Sequence, residues 1–453
     1  MPNIYPPGPR GHWLLGIMPQ MTRNAFALTR HLASYGDLSS ALFGPFRVYQ
    51  ANHPELIQQF LVGNRDKLIK DPRDANVLAR FLGRGLLTNE GENHKHMRKM
   101  VQPAFHMQRI RSYADTMVHY TTQMLDTWHD RTVRDVDAEM MKLTLAIVSK
   151  TLFNADISAA ETKAVSDALD QLQADSIYLA TRLFPIPAWL PTRINRRIKA
   201  ATAVIDQIVL RVIAERRASA TDEGDLLSQI LLSEDEGSGE RMSDQQVRDE
   251  VITLVLAGHE TTANALTWCM YLLSQHPNKL RRLQAEVDSV LGGRPPTLAD
   301  LPHLPYNEMV IKETLRMYPP AWSLSARVTQ EPITLGGYDL PKNSPVMVVP
   351  NAVHHDPRWW PEPDRFDPER FTPENEKARH KYAWIPFGAG PRVCIGNTFA
   401  LMEAQLVLAT IVQRFDWAID PTQRVRVEPQ LTLGTKSGMR MRLFARQPEI
   451  GRT

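Results

Sequence analysis

One cysteine of this sequence lies in a setting that favours chemistry. Cys394 follows a glycine- and proline-rich run that begins at Phe387, and an apolar, helix-like stretch from Phe399 to Phe415 comes soon after it. Backbone amides and the dipole at a helix N-terminus stabilise a thiolate and lower a thiol pKa. A thiolate held in this way is a nucleophile or a metal ligand, whereas the usual alternative for a lone cysteine is an inert buried thiol. The local pattern makes Cys394 a candidate for a reactive or ligating residue.

A second group of chemically unusual residues interrupts a long helical pattern. Ser243 and Gln246 have the spacing of a capping box, and helical periodicity then continues to Gln275. In the middle, the run Gly258 to Thr262 places Glu260 where a core helix should be apolar. Broken local rules in a core helix often mark function. A partly exposed helix face with Glu260 in solvent fits the periodicity equally well.

Length and composition limit the classes of protein that these candidates can belong to. The chain has 453 residues, of which 43% are hydrophobic and 23% charged, so disordered and fibrous proteins are excluded. At about 150 residues per domain, length alone suggests roughly three domains. The net charge of +3 provides no general field for nucleic acid or an anionic membrane.

The number of cysteines and the length of the apolar runs indicate the cellular compartment. Only Cys269 and Cys394 are present, which excludes a disulfide framework and a four-cysteine zinc site, and Cys269 is expected to be a core thiol. No run reaches the roughly 18 apolar residues of a membrane span, and the proline-broken start is too short for a signal peptide. We therefore expect a cytoplasmic location without a membrane anchor.

Helical and strand-like patterns surround the candidate residues. Alternating patterns predict strands in two places, Leu38 to Ala51 and Ile333 to Val349. The Ser-, Gly- and acid-rich segment Ala220 to Glu240 is predicted to be a solvated connection. Amphipathic helices are predicted over Tyr113 to Trp128, Asp137 to Leu152, Ala159 to Leu179 and Arg193 to Arg217.

The cysteine segment resembles a known family. Phe387, Gly390, Arg392, Cys394 and Gly396 match the pattern Phe-x-x-Gly-x-Arg-x-Cys-x-Gly, the haem-binding loop of the cytochrome P-450 superfamily. Five fixed positions in ten make this pattern highly specific. The resemblance covers essentially the whole chain, including the proline-rich start.

Three further segments resemble motifs of this family, in the right order. Ala257 to Thr262 is similar to the oxygen-activation stretch of its long central helix. Glu313 to Arg316 is similar to its Glu-x-x-Arg helix, and Pro368 to Phe371 to the segment whose arginine completes a Glu-Arg-Arg network. The resemblance implies a mainly α fold with a smaller β-rich part (α+β), in a single domain over residues 1–453.

The resemblance also implies haem b (iron protoporphyrin IX) as the cofactor. Cys394 would be the thiolate ligand of the iron, and Phe387 would shield the sulfur from water. Thiolate donation to the iron favours cleavage of the O–O bond. The implied partners of the haem propionates are His94, Arg98, Arg327 and Arg392.

For the opposite side of the haem, the resemblance implies an acid and an alcohol that deliver protons. Glu260 and Thr261 are the catalytic residues on this interpretation, and Gly258 leaves room for dioxygen. It further implies that Glu313, Arg316 and Arg370 form a buried ion network that holds the haem loop. Spacing alone would favour a solvated surface pair for the first two of these.

The implied function is a haem-thiolate monooxygenase that hydroxylates or epoxidises an apolar, lipid-like substrate such as a fatty acid, terpenoid or steroid. The sequence has no dinucleotide, flavin or iron-sulfur motif, so we expect the two electrons from a separate ferredoxin with its reductase or from a flavodoxin-type donor. The alternatives are a haem-thiolate isomerase, dehydratase or peroxygenase, and a non-catalytic haem-binding sensor or carrier. Candidate docking cations for an acidic donor are Lys95, Lys99, Arg379, His380 and Lys381.

Overall fold

Helices make up most of the fold. The computed structural model describes residues 5–155, 158–180, 186–219, 222–232 and 241–446. The helices are α1 Met18–Ala33, α2 Pro54–Gln58, α3 Pro72–Leu82, α4 Gly91–Val101, α5 Met107–Ser112, α6 Ala114–Asp126, α7 Val136–Phe153, α8 Ala159–Ala180, α9 Arg193–Ser219, α10 Leu226–Leu232, α11 Asp244–Gln275, α12 Pro277–Leu291, α13 Pro305–Met317, α14 Pro350–Val353, α15 Pro373–Ala378 and α16 Asn397–Arg414.

The strands are short and form small sheets. They are β1 Leu38–Phe43, β2 Phe46–Ala51, β3 Leu68–Lys70, β4 Val133–Asp135, β5 Arg327–Thr329, β6 Ile333–Leu335, β7 Tyr338–Leu340, β8 Pro345–Val348, β9 Phe415–Ile419, β10 Val427–Pro429, β11 Leu433–Thr435 and β12 Arg440–Ala445. A five-stranded sheet has the order β1-β2-β8-β5-β3, and a three-stranded sheet has the order β4-β12-β9. The mainly α fold with a smaller β part is therefore confirmed.

The antiparallel pair β3–β5 is important for the site. In its register Lys70 lies opposite Arg327, and Ile69 lies opposite Val328. This register concentrates positive charge at one edge of the sheet. Like charges opposite each other on neighbouring strands repel and destabilise a sheet, so the pair is unfavourable for the sheet itself.

The sequence predicted most of the long elements. The four amphipathic helices appear as α6, α7, α8 and α9, and the two strand regions appear as β1–β2 and β6–β8. The prediction of a solvated connection over Ala220 to Glu240 is wrong for α10, which buries Leu226, Leu227 and Ile230. Its apolar residues are too few to show helical periodicity in so polar a context. Residues 220, 221 and 233–240 lie outside the described part.

The central helix α11 begins and ends as predicted. Both hydrogen bonds of the capping box between Ser243 and Gln246 are formed, and the helix ends at Gln275. At 1.5 Å per residue, its 32 residues span about 48 Å. Most of its side chains are buried because α7, α9, α13 and α16 pack around it.

Gly258 allows α11 to approach α7 closely. A Cβ atom at this position would lie 2.9 Å from Cγ2 of Val148, which is buried on α7. The space that the glycine leaves on this side is therefore directed toward a packed helix, and its role in making room for dioxygen stays a prediction. None of the helices in the described ranges is long and apolar enough to cross a bilayer.

Gly258→Val is expected to destabilise the fold by about 1–3 kcal/mol, because the added side chain overpacks the α7–α11 contact. Val148→Ala removes the opposing methyl groups, so the double variant should lose less stability than the sum of the single variants. Urea unfolding of all four proteins measures this coupling. Additive losses would show that the two positions do not share this contact.

Candidate functional site

The Cys394 loop is held by its own backbone immediately before helix α16. The Cys394 amide donates a hydrogen bond of 2.9 Å to the Phe387 carbonyl, and Gly396 is the N-cap of the helix. Gly390 adopts a φ of 69°, and a Cβ there would lie 2.4 Å from the Leu61 carbonyl oxygen. Only glycine fits this close contact without strain. Gly390 therefore has a steric reason in the fold.

Surface accessibility and electrostatics together locate the Cys394 thiol. Cys394 is accessible while Cys269 is buried. Burial nevertheless raises the pKa of the Cys394 thiol, against the lowering effects of the Gly396 amide and Arg98. The accessible side must therefore face a cleft inside the protein. The sequence prediction of a lowered thiol pKa is wrong for the protein alone, because desolvation outweighs the helix terminus.

Cys269 behaves as the sequence predicted. It is fully buried on α11, and burial raises the pKa of its thiol to about 12. A neutral thiol in such surroundings is inert.

Basic side chains from four separate segments converge near this loop. The pKa of His94 is lowered to about 3, first by burial and then by the positive charges of Arg392, Lys70, Arg98 and Arg327. Its imidazole is therefore neutral and can only act as a hydrogen-bonding group. The structure brings together every residue that the resemblance implied for the propionates, and it adds Lys70.

Two members of this basic cluster, which consists of Lys70, His94, Arg98, Arg327 and Arg392, are strongly desolvated. Burial, followed by repulsion from Arg327 and Arg392, lowers the pKa of Lys70 to about 7. Burial and repulsion from Arg392 likewise lower the pKa of Arg327 to about 10. Both shifts arise first from burial, and repulsion between the cations adds to them.

Protein acceptors neutralise the basic cluster only in part. Arg392 donates to the Asn89 carbonyl at 2.8 Å and pairs with Glu90 at 2.8 Å, and Arg98 donates to the Val393 carbonyl at 2.9 Å. The carboxylates that act on its members are Glu90 and Asp74, against four cations. The donor set therefore fits a ligand with carboxylates, such as the two propionates of haem b.

Sequence reasoning missed Lys70 because it lies among several other charged residues, from Asp66 to Asp74, with no motif to single it out. Only the strand register places its ammonium beside Arg327. The one sequence signal was a lysine that ends an apolar strand directly before Asp71 and Pro72.

Glu260 is buried, and the interpretation that it points into solvent is wrong. Its Oε1 accepts a hydrogen bond from the Thr432 hydroxyl, and the Gln173 side chain lies beside the carboxyl. Burial raises the pKa of Glu260 to about 7, and the nearby carboxylates Asp170 and Asp137 act in the same direction. The group can therefore hold or release a proton near neutral pH.

Thr261 faces a different direction from Glu260. Its hydroxyl donates to the Ala257 carbonyl at 2.6 Å, one turn back on α11. Ala257 is exposed and Thr261 partly exposed, although most of their helical neighbours are buried. Because other helices pack around α11, this strip faces a cleft within the protein. The structure does not join the two candidate catalytic side chains by a hydrogen bond.

The surroundings of Glu260 contain polar residues that the sequence did not indicate. Asn264 Nδ2 donates to the Thr432 hydroxyl at 2.9 Å. Asp137 accepts from Thr435 at 3.1 Å, and burial raises the pKa of Asp137 to about 6. Residues of α11 and of the β11 region meet here only through the tertiary fold.

Glu313 and Arg316 form a fully buried ion pair on α13. Two hydrogen bonds of 2.6 and 2.9 Å join them, and neither side chain is exposed. Arg370 approaches Glu313 at 3.5 Å, and Asp367 donates its backbone N–H to the same carboxylate at 2.8 Å. The surface-pair interpretation from spacing alone is wrong, since buried charges of this kind must be paired.

A short chain of hydrogen bonds links this pair to the Cys394 loop. Arg316 donates to the His354 carbonyl at 2.8 Å, and the His354 ring accepts the backbone N–H of Ile385 at 2.8 Å. Burial lowers the pKa of His354 to about 3, so the ring is neutral and can accept this bond. Ile385 lies two residues before Phe387, so the ion pair supports the start of the loop.

Of the five candidate docking cations, His380 is half-buried, and its ring accepts the Tyr382 backbone N–H at 3.2 Å. The other four divide into two groups. Lys95, Lys99 and Lys381 are exposed. Arg379 instead places its guanidinium 3.9 Å from the centre of the Trp360 ring and donates to a backbone carbonyl. The guanidinium of Arg379 is therefore engaged within the fold, and its contact with a partner stays a prediction.

Comparison with known proteins agrees with this geometry. The sequence matches the family model described as Cytochrome P450 over residues 6–440. It is 39% identical to cyclooctatin synthase of Streptomyces melanosporofaciens over 96% of this chain and 94% of that protein. It is 38% identical to cyclooctat-9-en-7-ol 5-monooxygenase of the same species, over 90% of this chain and 88% of the relative. Pentalenene oxygenase of Streptomyces avermitilis is 34% identical, over 96% of each chain.

Proposed function

Because the chain belongs to the cytochrome P450 family, it is a haem b monooxygenase, and we propose that it oxidises a cyclic terpenoid with Cys394 as the ligand of the haem iron. The observation that carries the assignment of the site is the basic cluster beside the Cys394 loop. Its cations exceed the protein carboxylates that face them. When bound, haem b supplies the iron at which dioxygen is activated, and a thiolate ligand favours O–O cleavage.

Each part of this chain has a separate task in the proposed site. Lys70, Arg98, Arg327 and Arg392 bind the propionates, and neutral His94 offers a further hydrogen bond. The buried pair on α13 and the His354 ring hold the Cys394 loop in place. The accessible strip at Ala257 and Thr261 faces the substrate.

The names of the relatives support a terpenoid substrate. They refer to cyclooctatin, cyclooctat-9-en-7-ol and pentalenene, which belong to the terpenoid class. Ala257, the exposed residue of the strip on α11, is apolar and small. A rigid, mostly hydrocarbon substrate would be held there by shape and apolar contact. The terms oxygenase and monooxygenase in two of these names favour oxygen insertion over isomerisation or simple haem binding.

Glu260 is proposed to hold the proton that the reaction consumes. Its burial keeps a large fraction of the carboxyl protonated near neutral pH. Delivery requires the side chain to turn from Thr432 toward the hydroxyl of Thr261, since these two side chains point apart.

The two electrons are proposed to come from a separate ferredoxin or flavodoxin-type protein that docks near Lys95 and Lys99. Both lysines are exposed on α4, the helix that also carries His94 and Arg98 of the basic cluster. Lys95 pairs with Glu92 at 2.7 Å, an exposed contact that a partner carboxylate can replace at little cost.

The identity of the iron ligand is tested by substituting each of the two cysteines separately. Cys394→His should abolish the thiolate-type absorption spectrum of the reduced carbon-monoxide complex, because a histidine nitrogen then replaces sulfur at the iron. Cys269→Ala, a change in the buried core of α11, should keep that spectrum. Loss of the thiolate-type spectrum in the Cys269 variant alone would show that Cys269, and not Cys394, is the iron ligand.

The proton donors are tested by the yield of product per electron. Thr261→Ala should form product about 100-fold more slowly and release hydrogen peroxide instead, because proton delivery by a positioned group is lost. In the parent protein the yield should fall as pH rises through about 7, where Glu260 loses its proton. Glu260→Gln should remove this pH dependence. Unchanged yields in both variants at every pH would exclude the pair as proton donors.

The docking site is tested by charge reversal. Lys95→Glu combined with Lys99→Glu should slow reduction by an acidic ferredoxin about tenfold at low salt and flatten its salt dependence. Peroxide-driven turnover, which needs no donor, should be unchanged. Lys163→Glu is the matched control, because Lys163 is also exposed and paired with a carboxylate of its own helix, α8. Equal electron-transfer rates in all three proteins would place the docking site elsewhere.

A further inference from the structure

Two adjacent carboxylates of α11 hold the loop that connects α3 to α4. Asp249 Oδ2 accepts the backbone N–H of Arg84 at 2.7 Å, and Glu250 Oε2 accepts the backbone N–H of Leu86 at 2.7 Å. Both carboxylates are buried. The family resemblance and the proposed reaction assign no role to either residue.

Two glycines of this loop leave the space that these two contacts require. Gly83 has a φ of 69°, and a Cβ there would lie 2.1 Å from Cγ of Asp249. A Cβ at Gly85 would lie 2.4 Å from Oγ1 of Thr253 and 2.7 Å from Oε2 of Glu250. Any larger residue would push the loop away from α11. The sequence therefore provides both the carboxylates and the space that they need.

The other end of the same loop contacts the basic cluster. The Lys70 ammonium donates to the Leu87 carbonyl. Arg392 donates to the Asn89 carbonyl at 2.8 Å and pairs with Glu90 at 2.8 Å. Residues 83–90 therefore form a bridge, called here the 83–90 bridge, between the N-terminal half of α11 and two of the proposed propionate-binding cations.

Burial of the Glu250 carboxyl has an energetic cost, and an apolar side chain would pack at this position without it. Burial raises the pKa of Glu250 to about 7, and its Oε1 has no aligned hydrogen-bond donor among the described residues. Asp249 also carries charge in the core, where Arg248 at 2.9 Å and Gln245 at 2.7 Å compensate it. Well-packed apolar residues are often at least as stabilising as buried charges. The backbone contacts to the 83–90 bridge give these carboxylates a use that apolar side chains could not provide.

We propose that Asp249 and Glu250 are positioning residues for the cofactor: through the 83–90 bridge they fix the carbonyls that orient Lys70 and Arg392 toward the propionates. This inference rests on the proposed role of the basic cluster. Neither carboxylate is a member of the basic cluster. Their effect reaches it through four backbone groups, the N–H groups of Arg84 and Leu86 and the carbonyls of Leu87 and Asn89.

The test measures the rate at which the holoenzyme releases haem to apomyoglobin, together with urea unfolding. Glu250→Leu should release haem at least about tenfold faster, which corresponds to about 1.4 kcal/mol of lost affinity. Glu250→Gln should release haem at nearly the parent rate, because its amide oxygen can still accept the Leu86 N–H. This rescue separates hydrogen bonding from charge.

Glu286→Leu is the matched control for a purely structural effect. Glu286 of α12 also accepts two backbone N–H groups, from Tyr306 at 2.7 Å and Asn307 at 2.9 Å. It has no contact with the 83–90 bridge among the described contacts. This variant should unfold at lower urea concentration while it releases haem at the parent rate.

Two further variants keep the outcome decisive. Gly85→Ala leaves both carboxylates in place but displaces the loop, so it should also accelerate haem release. It replaces Glu250→Leu as the test if that variant does not fold. Arg392→Leu tests the basic cluster directly. Parent-like release by Arg392→Leu would overturn the cluster assignment, whereas fast release by Arg392→Leu with parent-like release by Glu250→Leu and Gly85→Ala would overturn the positioning role alone.

Discussion

Lys70, Arg327 and Arg392 give up much of their hydration in the folded chain, and they also repel one another. Removing a charge from water costs on the order of several kcal/mol per ion even after the protein relaxes. The fold offsets part of this cost with Glu90 and with the backbone carbonyls of the 83–90 bridge. The remaining positive charge is the reason that this cleft suits a cofactor with two carboxylates.

Rigid elements on both sides of the cleft hold these charges in place. The β3–β5 register fixes Lys70 beside Arg327. On the side of the Cys394 loop, the buried pair on α13 acts through the neutral ring of His354 on the backbone at Ile385. Burial keeps the His354 ring neutral, so that it can accept the Ile385 N–H. A buried network of this kind confers precision only when its members are paired.

Helix α11 makes several different contacts along its length, because successive side chains point about 100° apart. Gly258 faces α7, Glu260 faces the polar residues around Thr432, and Thr261 lies on the accessible strip with Ala257. Near the N-terminus of the same helix, Asp249 and Glu250 reach the 83–90 bridge. One long helix therefore connects the proposed proton donor with the proposed cofactor contacts.

The sequence by itself determined the four amphipathic helices α6 to α9, the capping box of α11 and two of the strand regions, because periodicity and caps are local properties. Its motif also carried the family resemblance that singled out the Cys394 loop. The tertiary structure alone decided which charges are buried together. Spacing could not distinguish Glu313 and Arg316 from a surface pair, could not place Lys70 opposite Arg327, and could not show that Arg379 packs on Trp360. The thiol pKa of Cys394 was also beyond local reasoning. Desolvation depends on every segment that surrounds a group, and distant segments meet only in the folded chain.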